Sequence, residues 1–255
     1  MADLPRIVII GAGPCGLGCA RELERLGHEN WVLCERYGYA GGHASSHIDP
    51  QGFTWDEGGH VVFSHYREFD RMLEEVMADE VYFHERSSYI RFGDRWVPYP
   101  FQNNLRHLPP EVAYECLLGL IEAPGGDPTT DFGTWMEATF GRGITKHFMQ
   151  PYNFKVWATP AELMQSQWIG ERVSVVDYRG ALRTIIFGED DVAWGPNNTF
   201  MFPAEGGTGE IYRRVAQRLG HRIQYDRDLV QVDPESRVVT FADVSTESYD
   251  HLIST

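Results

Sequence analysis

The sequence predicts an α/β fold that begins with a Rossmann-like unit, and three consecutive segments near its start support this prediction. RIVII (6–10) is a short apolar run that ends at glycine, as expected of a buried parallel strand. GAGPCGLG (11–18) then turns into a helix, and WVLCE (31–35) supplies a second strand. The apolar residues of the helix recur at helical spacing until Gly27 ends it: Leu17, Ala20, Leu23 and Leu26.

The glycines between the first strand and the helix fit a site for a dinucleotide. Gly11 permits the tight turn, Gly13 lets a pyrophosphate approach the backbone, and Gly16 lets helix and strand pack closely. Glu35 ends the second strand, where an acid hydrogen-bonds a ribose 2'-OH. Strand, loop, helix and acid in this order predict dinucleotide binding; a glycine turn with a purely structural role is the alternative.

Composition limits the classes of partner. The 255 residues, 42% of them hydrophobic, can form one large or two modest domains. A formal net charge of -15 argues against a general nucleic-acid or anionic-membrane binder, because such partners require broad basic patches. The apolar run at the amino terminus is too short for a signal peptide or a membrane span, which predicts a cytoplasmic protein.

The cysteines predict neither a disulfide framework nor a metal site. They form no CxxC pair and show no zinc spacing with the ten histidines. We expect buried thiols of a reducing compartment at all four positions: Cys15, Cys19, Cys34 and Cys116.

The segment after Glu35 departs from the pattern of NAD dehydrogenases, which usually continue with another helix and strand. It carries glycine doublets at Gly41–Gly42 and Gly58–Gly59, which indicates backbone pressed against a flat ligand. This part resembles the flavoprotein superfamily that includes amine oxidases, phytoene desaturases, protoporphyrinogen oxidase and UDP-galactopyranose mutases. In that superfamily the acid and first doublet of ERYGYAGG (35–42) contact the FAD adenosine and the flavin side, so the resemblance implies FAD.

The middle of the chain is predicted to be mainly helical after one hairpin. SSYIRFGDRWVPYP (87–100) is typical of a hairpin, and PPEVAYECLLGLIEA (109–123) of a helix opened by two prolines. Shorter helices are expected around FGTWMEATFG and ITKHFMQ. A capping-box pattern at Thr159 predicts that KVWAT (155–159) is a loop and PAELMQSQWIG (160–170) a helix.

Four further segments carry a closer resemblance. YPFQNN (99–104), FMQPYNFKVW (148–157), GERV (170–173) and WGPN (194–197) resemble the eukaryotic-type UDP-galactopyranose mutases in order and spacing. GGHVVFSH and GGTGEIY extend the resemblance over nearly the whole chain. Taken without the resemblance, the aromatic residues of PYNFKVW are more typical of a packed helix junction than of ligand contacts.

The resemblance implies a set of substrate-binding residues. Tyr99 and Phe148 would sandwich the uracil ring, and Gln102 would hydrogen-bond its edge. Asn153 and Trp157 would line the uridine and ribose region. The segment PYNFKVW would then be a uridine clamp made of stacking faces and an amide.

Three more residues are assigned to the sugar and the flavin. By the resemblance, Arg172 reaches the sugar, His60 belongs to a mobile loop beside the isoalloxazine, and Asn197 approaches the galactose. From the residues alone, His60 could be a core histidine, Arg172 could form a surface ion pair, and Asn197 could make a turn with Pro196.

The FAD contacts carried over from the family extend beyond the first loop. GGTG (206–209) would lie against the flavin, although a plain loop before a helix is the alternative. The predicted cofactor-binding residues are Gly11, Gly13, Pro14, Cys15, Gly16, Glu35, Arg36, Gly41, Gly42, Ser45, Gly58, Gly59, Gly207 and Thr208.

The resemblance implies interconversion of UDP-galactopyranose and UDP-galactofuranose without net redox change. In the family N5 of reduced FAD is the nucleophile at the anomeric carbon, with NAD(P)H as a candidate external reductant. An FAD oxidoreductase of the amine-oxidase type is one alternative, and an inactive FAD- or nucleotide-binding fragment is another. The partner implied is a UDP-sugar, and a homo-oligomer is compatible with the sequence.

The last part of the chain is expected to return to the cofactor domain through a helix at 209–219 and four strands. The final strand is about the halfway point of the family, so we expect an amino-terminal half or a truncated relative that lacks the UDP pyrophosphate contacts. Gln150 and Glu205 stand where relatives tend to carry Arg, which weakens the expected diphosphate contact.

The complete pattern predicts a Rossmann-like FAD-binding domain with an inserted mainly helical substrate domain and part of a β-sheet domain. The predicted segments are 1–80 for the first part of the FAD domain, 81–98 for a hairpin of the substrate sheet, 99–197 for the helical uridine-binding domain and 198–255 for the return segment.

Overall fold

The computed structural model describes residues 4–58, 61–62, 64–125, 130–170, 173–192 and 198–255. Its helices are α1 (Pro14–Arg25), α2 (Arg67–Met77), α3 (Pro110–Glu122), α4 (Phe132–Ile144), α5 (Gln150–Trp157), α6 (Tyr178–Phe187) and α7 (Gly209–Leu219). Its strands are β1 (Ile7–Ile10), β2 (Trp31–Cys34), β3 (Ser46–Ile48), β4 (Thr54–Asp56), β5 (Val81–Glu85), β6 (Tyr89–Phe92), β7 (Arg95–Pro98), β8 (Thr199–Pro203), β9 (Ile223–Gln224), β10 (Leu229–Asp233), β11 (Val238–Phe241), β12 (Thr246–Ser248) and β13 (His251–Ser254).

The chain divides into two compact units, Met1–His84 with Phe200–Thr255, and Glu85–Thr199. The first unit contains a parallel sheet in the order β13-β1-β2-β9. Ile9 and Leu33 face a core shared with α1, α2 and α7, whereas Val8 and Val32 pack against β11. Burial on both faces explains why β1 and β2 are continuous apolar runs. The finer division into four sequence segments remains a prediction.

The remaining strands of the first unit form small sheets. β10, β11 and β12 make an antiparallel sheet, and β3 and β4 make an antiparallel hairpin. β5 pairs with β8 in a two-stranded sheet. α7 covers 209–219 as predicted and ends at Gly220, which has a positive φ of 66°.

The second unit is mainly helical, with the β6–β7 hairpin as its sheet. Its core is aromatic and aliphatic, and Phe101, Phe132 and Phe140 are fully buried in it. α4 is kinked at Gly141, which has φ 71° and ψ 171°. A Cβ at Gly141 would lie 2.0 Å from the carbonyl oxygen of Gly119, so α3 and α4 meet backbone to backbone at this point.

The predicted loop at 155–159 and the predicted helix at 160–170 are both wrong. α5 continues through Trp157 and ends at Ala158, whose left-handed φ of 49° stops it. The Thr159 hydroxyl donates to the Trp157 carbonyl oxygen at 3.1 Å and does not cap a new helix. Only the short 3₁₀ turn Ala161–Leu163 follows, so the capping-box pattern formed with Glu162 is coincidental.

The cysteines only partly follow the prediction of buried thiols. Cys34 and Cys116 are buried, and burial raises the pKa of Cys34 to about 11 and that of Cys116 to about 12. Cys15 is exposed and Cys19 is half-buried, because both lie on the solvent side of α1 or at its edge. Among the described residues, every helix is too short or too polar to cross a bilayer. The same residues contain no group of His, Cys, Asp and Glu able to hold a metal ion.

Candidate functional site

The first candidate site is a glycine cradle, formed by Gly11–Gly16, Glu35 and Gly41–Ser45. Gly11 turns the chain out of β1 with φ 101° and donates its N–H to the Cys34 carbonyl oxygen at 2.8 Å. A Cβ at Gly16 would lie 1.9 Å from the Gly11 carbonyl oxygen, so helix and turn touch through bare backbone.

The start of α1 leaves its positive end available to an anion. Gly13 is the N-cap, makes no side-chain capping bond, and is followed by Pro14 at the first helical position. The first turn of α1 contains no acidic residue. Because the N–H groups and dipole at a helix start favour negative charge, this geometry fits a pyrophosphate.

Glu35 lies at the end of β2 and is 7% exposed. Its Oε2 accepts the Ala12 N–H at 2.6 Å, and its Oε1 accepts the Tyr37 N–H at 3.0 Å. A carboxylate offers about four lone-pair sites, so two are left for ribose hydroxyls. Arg36 points its guanidinium over the Tyr37 ring at 4.9 Å, beside this acid.

The first glycine doublet is fastened to the glycine loop. Gly41 donates its N–H to the Ala12 carbonyl oxygen at 2.8 Å, and a Cβ at Gly42 would lie 3.1 Å from the Gly13 Cα. Ser45 is 2% exposed, and its hydroxyl has no partner that meets hydrogen-bond geometry among the described residues. Bare backbone and a buried hydroxyl beside a helix start fit a dinucleotide such as FAD.

The predicted contacts Gly207 and Thr208 are held by a polar network from the β3–β4 hairpin. Asp56 accepts the Thr208 N–H at 3.1 Å, the Thr208 hydroxyl at 3.0 Å and the Ser46 hydroxyl at 2.5 Å. The Ser46 hydroxyl in turn accepts the Gly209 N–H at 2.7 Å. Asp56 therefore adds a negative charge at the start of α7, where Glu210 also lies in the first turn, and the loop before that helix is fixed in place.

The second candidate site, the aromatic pocket, lies within the helical unit and has a volume of ≈ 150 Å³. It is lined by Tyr99, Gln102, Phe148, Met149, Tyr152, Asn153, Val156, Trp157, Trp168 and Val173. Ligand pockets for whole drug-sized molecules measure roughly 300–1,000 Å³, so this cavity suits a base rather than a complete nucleotide sugar. The structure thus brings five predicted substrate residues together: Tyr99, Gln102, Phe148, Asn153 and Trp157.

Gln102 carries the polar chemistry of the aromatic pocket. It is 1% exposed, and its Nε2 donates to the Ser174 carbonyl oxygen. Its Oε1 is buried and has no hydrogen-bond partner within the described residues. Since an unpaired buried acceptor costs about 1–3 kcal/mol, this oxygen is suited to accept a hydrogen bond from a ligand.

The two predicted stacking residues differ in their surroundings. Burial raises the pKa of the Tyr99 hydroxyl, and the nearby Tyr152 raises it further. Phe148 is 5% exposed and stacks on Phe101 at 4.5 Å and on Tyr152 at 5.0 Å between ring centroids. Much of the Phe148 ring is therefore already covered by protein side chains.

Asn153 and Trp157 complete the wall formed by α5. The Asn153 Nδ2 donates to the Met149 carbonyl oxygen at 2.8 Å, so this amide group is engaged along its own helix. Trp157 packs edge-to-face on Trp168 at 5.4 Å and remains 48% exposed. Trp168 was not predicted from the sequence, because it follows the turn at 161–163 that was expected to be helix.

The sequence also did not predict a set of hydrogen bonds, here called the latch, that joins Asn103 and Asn104 to Thr184 and Asp191. Asn104 is fully buried and bonds both backbone groups of Asp191: its Nδ2 donates to the carbonyl oxygen at 2.7 Å, and its Oδ1 accepts the N–H at 2.9 Å. The Thr184 hydroxyl donates to the Asn103 carbonyl oxygen at 2.9 Å. Only residues far apart in sequence make these bonds, so no local pattern could reveal them.

Several predicted residues have no contacts that bear on their roles. Gln150 and Glu205, where relatives tend to carry Arg, are both exposed, and Gly58 is half-buried. Four predicted site residues lie outside the described residues, and their roles stay predictions: Gly59, His60, Arg172 and Asn197.

Comparisons with known proteins identify the family and a similar solved structure. Residues 14–255 match the family model for flavin containing amine oxidoreductases. A crystal structure of reduced UDP-galactopyranose mutase matches with a TM-score of 0.92 and 43% identity, over 98% of this chain and 55% of that one. The predicted resemblance and fold class are confirmed by these two matches. This chain spans little more than half the length of the mutase that it matches.

Two further matches are more distant. A fatty acid isomerase from P. acnes has a TM-score of 0.63 at 13% identity, over 98% of this chain and 58% of that one, which shows the fold alone. Zeta-carotene desaturase from Zea mays is 39% identical over 74 residues, which are 29% of this chain and 13% of the desaturase.

Proposed function

Because the chain belongs to the flavin containing amine oxidoreductase family, we propose that it supplies the FAD cradle and the uridine pocket of a UDP-galactopyranose mutase. Such an enzyme interconverts UDP-galactopyranose and UDP-galactofuranose. The observation that carries the proposal is the buried, unpaired Oε1 of Gln102 in a pocket walled by aromatic rings. The 43% identity to a mutase over nearly the whole chain supports it.

The glycine cradle would hold FAD. The bare backbone at Gly13 and the start of α1 would receive the pyrophosphate, and Glu35 would accept ribose hydroxyl groups. Bound, reduced FAD would supply N5 as the nucleophile for the anomeric carbon of the sugar. The protein would supply orientation and electrostatics, with Arg172 and His60 as the proposed groups beside the sugar and the flavin. NAD(P)H is proposed as the external reductant.

The aromatic pocket would distinguish uracil from other bases. Uracil presents an N3–H donor between two carbonyl groups, and the Gln102 Oε1 would accept it. Cytosine presents an acceptor at the same position, so two acceptors would face each other and one would stay unpaired at a cost of about 1–3 kcal/mol. Burial raises the pKa of the Tyr99 hydroxyl further above neutral pH, and its uncharged ring would provide a face on which a base can stack.

An FAD oxidoreductase of the amine-oxidase type is the second candidate, and the family model favours it as much as it favours a mutase. An amine substrate has no base edge that would require the Gln102 amide in the aromatic pocket. For this reason we place the mutase first. A fragment that binds FAD and uridine without turnover is the third candidate, and we propose a cytoplasmic location for all three.

Calorimetric titration of the FAD-saturated chain with UDP and CDP tests the proposal. We expect UDP to bind at least about tenfold tighter than CDP, a difference of about 1.4 kcal/mol. Gln102→Ala should lower the affinity for UDP and abolish the difference between UDP and CDP. Gln217→Ala, at an exposed glutamine on α7, should change neither the affinity nor the difference. Equal binding of UDP and CDP to the unaltered chain would contradict the proposal. Activity assays separate the mutase from the oxidoreductase. A mutase should convert UDP-galactopyranose once its flavin is reduced, whereas an amine oxidoreductase should oxidise amines.

A further inference from the structure

A groove in the first unit, separate from the glycine cradle and the aromatic pocket, combines an apolar floor with an acidic rim. It is lined by α2, the turn after that helix and the strands β5 and β8, and its volume is ≈ 560 Å³. We call it the acidic groove. Its lining residues are Asp70, Leu73, Glu74, Met77, Ala78, Asp79, Val81, Phe83 and Met201. This described lining contains no basic residue.

The apolar part of the acidic groove is partly packed and partly open to water. Leu73 is 7% exposed and Met77 is 1% exposed, because both side chains pack into the core of the first unit. Phe83 lines the same groove and is 78% exposed. A large aromatic side chain left in water beside a firm apolar floor is typical of a surface that contacts another protein.

The three carboxylates of the rim have no counter-charge of their own. Asp70, Glu74 and Asp79 are exposed, and none of them forms an ion pair within the part of the chain that the structure describes. Glu75, which is also on α2 and does not line the groove, pairs with Arg21 at 2.6 Å. Unpaired negative charges around an apolar surface favour a partner that is both cationic and apolar.

The spacing of the lining residues on α2 matches a helical partner. These residues occur at positions i, i+3, i+4 and i+7, which place apolar and acidic side chains along one stripe about 10 Å long. A helix lying along this stripe would insert apolar side chains of the same spacing, and Lys or Arg at its flanks would reach the carboxylates. The formal net charge of -15 disfavours a second copy of this chain as the occupant.

We propose that the acidic groove is a docking site for a basic amphipathic helix of another protein. The apolar face of that helix would cover Phe83, and its cations would neutralise Asp70, Glu74 and Asp79. Attraction between the charges would speed association and orient the helix, and burial of the Phe83 ring would slow its release. This inference does not depend on the proposed uridine site.

The test uses a fluorescein-labelled peptide of Leu and Lys, with Leu at helical spacing on one face. Its binding to the full 255-residue chain, with FAD present, is followed by fluorescence anisotropy. The salt concentration is about 0.15 M, at which exposed charges more than about 8 Å apart are largely screened. We expect saturable binding, and at least about tenfold weaker binding of a peptide with the same composition in shuffled order. Equal affinity for the two peptides, or no binding of the amphipathic peptide, would overturn the proposal.

Neutralising the rim tests the role of its charges. The triple variant Asp70→Asn, Glu74→Gln, Asp79→Asn should bind the amphipathic peptide at least about tenfold more weakly than the unaltered chain. A control variant removes the same charge at three exposed carboxylates of the second unit and should lose less than about threefold. Its substitutions are Glu111→Gln, Glu122→Gln and Glu137→Gln. Because both variants have the same net charge, equal losses would overturn the assignment to the groove.

A single substitution tests the apolar contact. Phe83→Ala should weaken peptide binding at least about fivefold, since it removes the exposed aromatic anchor. Tyr82→Ala, at a residue that is 58% exposed on the opposite face of β5, should change it less than about twofold. Thermal unfolding verifies that each variant is folded, and equal effects of the two substitutions would contradict the proposed docking. Light scattering identifies the other occupant: self-association of the unaltered chain that the triple variant loses would assign the groove to a second copy and overturn the proposal.

Discussion

The glycine cradle and the aromatic pocket present opposite kinds of surface to the ligands that we propose for them. In the cradle the contact surface is backbone, and a Cβ at Gly16 would lie 1.9 Å from a carbonyl oxygen. In the aromatic pocket that surface is side chains, and the Gln102 Oε1 is buried there without a hydrogen-bond partner among the described residues. Substitutions in the cradle should therefore damage the fold, whereas substitutions in the pocket should change selectivity and leave the fold intact.

The largest effect is expected from Gly16→Ala. The added methyl group has no space against the Gly11 carbonyl, and forcing such a contact costs about 3 kcal/mol. Urea unfolding should show this loss, and FAD should no longer be retained. Gly18→Ala is the matched control, since a Cβ there meets nothing within 4 Å and should stabilise α1 by about 0.5–1 kcal/mol. Equal stability of the two variants would contradict a need for bare backbone at Gly16.

A smaller loss is expected from Glu35→Ala. The change leaves the Ala12 and Tyr37 N–H groups without their acceptor, at a cost of about 2 kcal/mol. FAD affinity should fall by at least about tenfold, measured by flavin fluorescence on titration. UDP affinity of the FAD-saturated protein should not change, and a parallel loss of UDP binding would argue that the two sites are not separable.

A further loss of stability is expected from Asp56→Ala. It removes the acceptor for Thr208 and Ser46 and a negative charge at the start of α7, which together contribute about 1–2 kcal/mol. Thermal unfolding should detect the loss. Glu57→Ala, at an exposed side chain that pairs with His47, should change stability by less than about 0.5 kcal/mol. If both variants behave alike, the Asp56 network does not fix the loop at Gly207.

The smallest loss of stability is expected at the Asp190 carboxylate, which precedes Asp191 of the latch. Hydrogen bonds from Arg106, and to a lesser degree His107, lower the pKa of Asp190. A lowered folded-state pKa stabilises the protein above the unfolded value of about 3.9, and this contribution disappears as pH falls through the folded-state value. Asp190→Asn should therefore lower the free energy of unfolding by less than about 1 kcal/mol at neutral pH and leave it unchanged in strong acid. Asp94→Asn, at a fully exposed aspartate, is the control. A stability loss from Asp190→Asn that stays constant across pH would contradict its origin in the Asp190 charge.

The two sites also differ in how far the sequence predicts them. The turn at Gly11, the approach at Gly16 and the acid at Glu35 follow from local order, because consecutive residues build a backbone cradle. The aromatic pocket depends on where α5 begins and ends, and the sequence placed the helix after Thr159 instead. The π-helix Thr145–Met149, which delivers Phe148 to the pocket, has no simple sequence pattern. The pairing of Asn104 with Asp191 links residues far apart in the chain, so it emerges only from the fold.

The most direct test of the central claim is the visible spectrum of the purified 255-residue chain after addition of FAD and removal of the excess, followed by titration with UDP. We predict a retained flavin band whose shape changes as UDP fills the aromatic pocket, and no retained band in Gly16→Ala. A chain that is folded by circular dichroism and retains no flavin would contradict the claim that the glycine cradle holds FAD. A retained band that does not respond to UDP, together with no UDP binding by calorimetry, would contradict the assignment of the aromatic pocket.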